Sequence, residues 1–192
     1  MGHANNVSVM DSLRGRLLIA SPALVDPNFH RTVILIAEHT GEGAMGLVLN
    51  RPAETLVADV VPDLSDLAED DAPVFFGGPV ASDSVIVLAE FDDPSIAGVL
   101  LDGDLGFVGN ESGELGDVAG SVRRARIYAG HSGWGPGQLE GELEEESWIV
   151  DTTPTREEIF RLDAEGLWAA VLRRKGREYA LLSTMPPDPS VN

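Results

Sequence analysis

"RTVILIAEHTGEGAMGLVLNRP" (residues 31–52) decides between two folds. Gly41, Gly43 and Gly46 carry the G-x-G-x-x-G spacing that cradles a dinucleotide pyrophosphate. That reading needs a strand before the glycines and a helix after them, whose free amides and dipole meet the phosphate. The strand is present: residues 31–39 are β-branched and aliphatic, and an Asp26-Pro27 turn precedes them, as in a strand buried on both faces. The helix is not. "LVLNRP" has no helical spacing of apolar positions, and Pro52 would stop a helix. Strand, glycine-rich turn and strand make a hairpin, in which glycine supplies the positive φ of a tight turn.

Working outward, residues 15–21 ("GRLLIAS") read as a first strand closed by Pro22. Residues 54–73 mix helically spaced apolar positions with acids, and Pro62 interrupts them, predicting a short helix and then a polar loop. "VFFGGPV" (residues 74–80) is a strand ending in a Gly77-Gly78-Pro79 turn, and residues 84–91 and 98–101 are further strands. Residues 102–121 are acidic and glycine-rich, hence a hairpin or irregular connection. Residues 123–130 and 147–151 read as strands. Thr155 and Glu158 form a capping box ahead of a helix whose Leu167, Trp168, Val171 and Leu172 share one face, with Gly176 closing it. "EYALLS" (residues 178–183) reads as a last strand. Strands and helices mixed without a βαβ rhythm argue for an α+β fold in a single domain spanning residues 1–192, with residues 1–12 and 186–192 as flexible ends.

Composition narrows function. With 13 Lys+Arg against 32 Asp+Glu, the 192-residue chain has a formal net charge of -19, which repels nucleic-acid phosphates and anionic membranes. There is no cysteine, so no disulfide, thiolate nucleophile or cysteine-bound zinc. No apolar run is long enough to span a bilayer and no signal-peptide core is evident, so a cytoplasmic protein is expected. The histidines form no H-x-H or i,i+4 pair, and neither a metal nor any cofactor is expected.

The densest segment is "YAGHSGWGPGQLEGELEEESW" (residues 128–148). A strand delivers Gly130, a glycine-rich loop carries Trp134, and Pro136 opens a helix with Leu139 and Leu143 on one stripe. Amides at that helix start suit an anion or a carbonyl oxygen, although Glu140 and Glu142 compete for them. The alternative is that the glycines make a turn and Trp134 packs into the core. "GHSG" (residues 130–133) suggests a nucleophile elbow. Trp134 stands where that motif needs glycine, however, and no histidine follows Ser132. The acidic run 140–146 is a solvated helix face.

Residues 15–52, "FFGGPV" and "GWGPGQLEGELEEESW", in this order and at these separations, resemble the AlgH/YqgE family. The resemblance implies an α+β fold with a mixed, bifurcated sheet flanked by helices, in a bacterial cytosolic protein of unestablished activity, with some members labelled regulators. It marks His39, Gly46, Asn50, Pro52, Gly77, Gly78, Pro79, Gly133, Trp134, Gly137, Gln138, Leu139 and Trp148 as family-type residues. His131-Ser132 departs from the pattern, which weakens a nucleophile at Ser132.

These motifs offer glycine, proline, amides and tryptophan rather than acids, bases and nucleophiles, so a binding module for a small anionic ligand or a protein partner is favoured. A hydrolase or transferase acting on an anionic small molecule is the alternative. The binding candidates are His39, Asn50, Arg51, Gly77, Gly78, Pro79, Gly133, Trp134, Gly137 and Gln138; of these segments the 130–139 loop, the Asn50-Arg51 strand end and the Gly77-Gly78-Pro79 turn are expected to wall one cleft in which Arg51 offers a cation. Because generic DNA affinity comes from basic residues releasing counterions, no complex with duplex DNA is expected in a gel shift at micromolar protein and about 150 mM salt.

Overall fold

The computed structural model describes residues 11–109, 118–160 and 163–186. Apart from Asp11, Ser12 and Pro186, the two ends expected to be flexible lie outside these residues, as do residues 110–117 of the glycine-rich connection. The strands are β1 (Leu17–Ala20), β2 (Val33–Thr40), β3 (Gly43–Val48), β4 (Pro52–Leu56), β5 (Pro73–Phe76), β6 (Val80–Phe91), β7 (Val99–Asp102), β8 (Leu105–Phe107), β9 (Val122–Trp134) and β10 (Trp148–Asp151). The helices are α1 (Val57–Val60), α2 (Gln138–Glu144), α3 (Arg156–Phe160), α4 (Leu167–Lys175) and α5 (Arg177–Leu182), with a 3-10 turn at Pro62–Leu67.

The hairpin reading holds. β2 and β3 pair antiparallel from Ile34↔Val48 to Thr40↔Gly43. The glycines are spent on packing: a Cβ at Gly43 would lie 2.2 Å from the Trp134 carbonyl oxygen, and one at Gly46 would lie 2.6 Å from the Ile34 side chain.

The ten strands form one sheet in the order β10-β1-β2-β3-β9-β6-β8-β7, with β4 and β5 off this path. β9 makes the fork. One of its edges pairs with β6, from Phe91↔Val122 to Val80↔His131. Its other edge takes β3 near the C-terminal end (Ala44↔Trp134, Gly46↔Ser132) and β5 further back. The β5 pairing is parallel (Phe75↔Tyr128, Phe76↔Ala129), which makes the sheet mixed.

Period-two alternation sorts the buried strands onto two faces. Leu17, Ile19, Val33, Leu35, Leu47 and Leu49 join α4 in one core. Leu18, Ala20, Ile34, Ile36 and Val48 join Leu139 of α2, Trp134 and Trp148 in the other. A third core, around Phe91, Val87 and Ile127, lies under α1 and the 3-10 turn. Each large aliphatic side chain fully buried this way contributes about 1.5–3 kcal/mol.

The C-terminal capping box is present: the Thr155 N–H donates to Glu158 Oε2 at 2.8 Å, and the Glu158 N–H donates to Thr155 Oγ1 at 3.2 Å. Leu167, Trp168, Val171 and Leu172 are all buried. Three expectations need correction. Residues 177–182 form helix α5, not a strand; Tyr179 and Leu182, three apart, pack on the α4 core, and a run this short does not fix its own period. A strand, β4, precedes the expected helix after residue 54, leaving α1 four residues long. β9 does not stop at Gly130, which has φ 68 inside a strand that runs to Trp134; the register shift beside it is taken up by residues 81–84 of β6.

The crossing of β5 into β9 leaves no room for side chains. A Cβ on Gly77 would lie 2.3 Å from the Gly130 carbonyl oxygen, whereas one on Gly141 in α2 meets nothing within 4 Å. Gly77→Ala should therefore destabilise the protein by about 2–4 kcal/mol, and Gly141→Ala should stabilise it by about 0.5–1 kcal/mol, both read from urea unfolding.

Candidate functional site

At the start of α2 the predicted residues tie a helix to the sheet. The Leu13 N–H donates to His39 Nδ1 at 3.0 Å, which leaves the ring proton on Nε2 to donate to Glu140 Oε1 at 2.8 Å. That bond holds the Glu140 carboxyl below its ordinary range. Glu142 Oε2 accepts from both indole N–H groups, Trp134 at 2.9 Å and Trp148 at 2.8 Å, while its Oε1 accepts from Gln138 Nε2 at 3.0 Å. Gln138 Oε1 in turn accepts from the Gly135 N–H at 3.0 Å. Trp134 and Trp148 meet edge-on with centroids 6.0 Å apart, and Phe29 packs on both. Gly137, with φ 73, lets the chain turn into the helix.

A second group sits at the far end of the hairpin. Asn50 is buried and clamps β2: its Oδ1 accepts from the Val33 N–H at 2.9 Å and its Nδ2 donates to the Arg31 carbonyl at 2.8 Å. Arg51 donates to the His30 carbonyl at 2.7 Å. Gly77 receives the Val48 N–H at 2.9 Å, and Gly78 lies against the His131 backbone, with exposed Pro79 following. Gly133 pairs with Met45 on β3.

The expectation of one shared cleft therefore fails. Asn50 bonds Val33 at one end of β2, while Trp134 lies opposite Ala44, itself paired with His39 near the other end of β2, about 20 Å away along the strand. The glycine-rich segments run in a line down β3, first Trp134 opposite Ala44, then Ser132 opposite Gly46, then the Gly77 carbonyl on the Val48 N–H. Trp134 is not on a loop: it ends a strand, packs into the core at 6% exposed, as in the alternative reading, and its N–H donates to Glu142. Ser132 is fully buried, with its hydroxyl donating to the Gly77 carbonyl at 3.2 Å.

Sequence reasoning missed a different place. A groove of about 370 Å³ runs between residues 66–73 and the part of β9 that precedes its pairing with β5, and Phe75 and Phe160 also line it. Arg124 and Arg126 of β9 are among its walls. Arg124 is committed to carboxylates, Glu90 at 2.6 Å and Glu157 at 3.0 Å. Arg126 is not. Its guanidinium lies 4.0 Å over the Phe75 ring and donates to the Leu49 carbonyl at 3.3 Å, with no carboxylate partner among the described residues. Beside it the Tyr128 hydroxyl is buried without a hydrogen-bond partner; burial pushes its pKa up to about 12, against the pull of Arg126. The signal was legible: "RARIY" puts Arg124, Arg126 and Tyr128 on one face of a strand whose neighbours are apolar.

The family model described as AlgH-like matches residues 17–180. The chain belongs to the AlgH-like family. A UPF0301 protein of Streptomyces avermitilis is 41% identical over 196 residues, covering 98% of this chain and all of that one. One from Chlorobium limicola is 39% identical over 191 residues, covering 97% and 100%. Among solved structures, a Corynebacterium diphtheriae protein superposes with a TM-score of 0.81 at 27% identity, covering 88% of this chain and 91% of that one. The solution structure of the AlgH protein of Pseudomonas aeruginosa superposes with a TM-score of 0.68 at 30% identity, covering 97% and 98%. These names state no reaction and no ligand.

In this AlgH-like chain the motif residues at the α2 start are held by one another, and Glu142 is their centre. Glu142→Ala leaves two largely buried indole N–H groups without an acceptor and should cost about 2–4 kcal/mol, with a loss of near-ultraviolet tryptophan dichroism; Glu142→Gln, which keeps a carbonyl acceptor, should cost less.

Proposed function

We propose that this AlgH-like protein is a cytoplasmic binding module that recognises a small anionic ligand in the Arg126 groove and performs no covalent chemistry on it. One observation carries the reading: Arg126 is a guanidinium stacked on an aromatic ring, without a carboxylate partner among the described residues, on the wall of a groove in a chain of net charge -19. Its planar fork suits a carboxylate or a phosphate. The opposite rim carries Asp66, Glu69, Asp70 and Asp71, which repel polyanions and so select for a small ligand of low charge.

The alternative, a hydrolase or transferase acting on such an anion, needs an exposed nucleophile and a base. Ser132 is buried and bonded to a backbone carbonyl, and His39 is bonded on both ring nitrogens. Direct nucleic-acid recognition is also disfavoured, because in the basic turn that ends α4, Arg174 and Lys175 are paired with Asp151 and Glu158. No helix among the described residues is long and apolar enough to cross a membrane.

A thermal-shift screen of acetate, succinate, short amino acids and inorganic phosphate tests the proposal. A ligand that raises the melting temperature of the wild type should lose at least about ten-fold in affinity on Arg126→Met, which keeps the stem over Phe75 and removes the fork. A shift that survives Arg126→Met, or a hydrolytic activity abolished by Ser132→Ala, overturns it.

A further inference from the structure

Among the described residues, β10 ends the sheet, pairing only with β1. The Ser21 N–H donates to the Ser147 carbonyl at 3.0 Å, so Ser147, Ile149 and Asp151 turn their main-chain groups toward β1, and alternation turns those of Trp148 and Val150 outward. Lys175 Nζ reaches the Val150 carbonyl from that outer side at 2.7 Å. The N–H and C=O of Trp148 and the N–H of Val150 have no protein partner among the described residues. Along this edge runs a groove of about 880 Å³. Leu143, Glu145 and Glu146 wall one side of it, and Tyr179, Leu182 and Met185 wall the other.

We infer that the open edge of β10 and this groove dock an extended segment of a partner protein in which Lys or Arg alternates with aliphatic residues. Main-chain bonds to Trp148 and Val150 add the segment as an eleventh strand, and its side chains then point alternately to the two walls. The wall at the end of α2 carries Glu145 and Glu146, with Glu144 next to them, all exposed and without an ion pair among the described residues, at the helix end where the dipole already disfavours negative charge; that turn holds no basic residue. Cations on every second residue relieve this repulsion, while the residues between them meet Tyr179, Leu182 and Met185. A second copy of the chain pairing through its own β10 would present Trp148–Asp151, a strand without a basic residue, to these glutamates. The chain's own end, "PDPSVN" (residues 187–192), has no basic residue, and two of its six positions are prolines, which lack the N–H a strand needs. This inference is independent of the Arg126 groove.

Fluorescence anisotropy of a labelled peptide alternating Lys with Leu, titrated with the full chain, tests it. The expected result is binding that Glu145→Lys with Glu146→Lys weakens by at least about ten-fold, and that the same variant restores for a peptide with Glu in place of Lys. N-methylation of one alternate set of peptide amides should abolish binding and of the other set should spare it, and exchange of the Trp148 and Val150 amides should slow about ten-fold. Arg126→Met should change none of this. The inference is overturned if no binding occurs, if a peptide of the same composition in block order binds equally, if both N-methylated sets bind alike, or if binding appears only after residues 187–192 are removed.

Discussion

Everything in this fold depends on two stretches of backbone passing within contact of each other, Gly77-Gly78 against Gly130-His131. The contact is reciprocal: a Cβ on Gly78 would lie 2.3 Å from the His131 carbonyl, and a Cβ on Gly130 would lie 2.6 Å from the Gly78 carbonyl oxygen. Only with side chains absent can β5 reach β9, and only then does the Gly77 carbonyl receive both the Val48 N–H and the Ser132 hydroxyl. Those bonds fasten β3 where it takes over the edge of β9 from β5. A side chain at the crossing would push the two branches apart and strand buried donors in the middle of the sheet, which is more costly than the clash alone.

The same requirement explains what the glycine-rich motifs are for. Glycines that allow close approach are the mark of a ligand site and equally the mark of crowded strands. Here the atoms that approach are other backbone atoms: Trp134 O at Gly43, Gly130 O at Gly77, His131 at Gly78. The polar side chains of these motifs follow suit. Asn50 replaces missing strand bonds at one end of β2, and Glu142 gathers two indoles and an amide at the other end of the hairpin. Groups so fully committed to their neighbours have no capacity left for a substrate, and the proposed Arg126 site accordingly uses side chains the motifs do not contain.

What the sequence made legible is what local periodicity controls. The hairpin could be read from the absence of a helix after Gly46, and the capping box at Thr155 and the buried face of α4 from their spacing. What it hid depends on partners distant in the chain. Gly130 has the φ of a turn and sits in a strand, because β6 and β5 hold the chain extended on both sides of it. "EYALLS" has no period of its own, and the core beside α4 settles it as helix. The single-cleft reading failed for the same reason: Trp134, Asn50 and Gly78 are each next to β3, but a strand spreads its neighbours along its length, and nothing in one sequence says how far apart they fall.

Charge shows the same division between inside and outside. Glu90, 4% exposed, keeps its place because Arg123 and Arg124 bond its two oxygens at 2.7 and 2.6 Å, and Asp104, held below its ordinary range chiefly by its hydrogen bond from Arg156, extends the network. A buried carboxylate with one of those arginines removed would be left desolvated and undercompensated, so that network braces β6, β9 and the turn before β8. Unpaired acids are spread over the surface of the described residues and include those on the rim of the Arg126 groove and at the end of α2. Surplus negative charge thus borders both the Arg126 guanidinium and the open main-chain groups of β10. A field arranged this way speeds the approach of cations to the β10 edge and turns multiply charged anions away from Arg126, and both effects weaken as salt screens them.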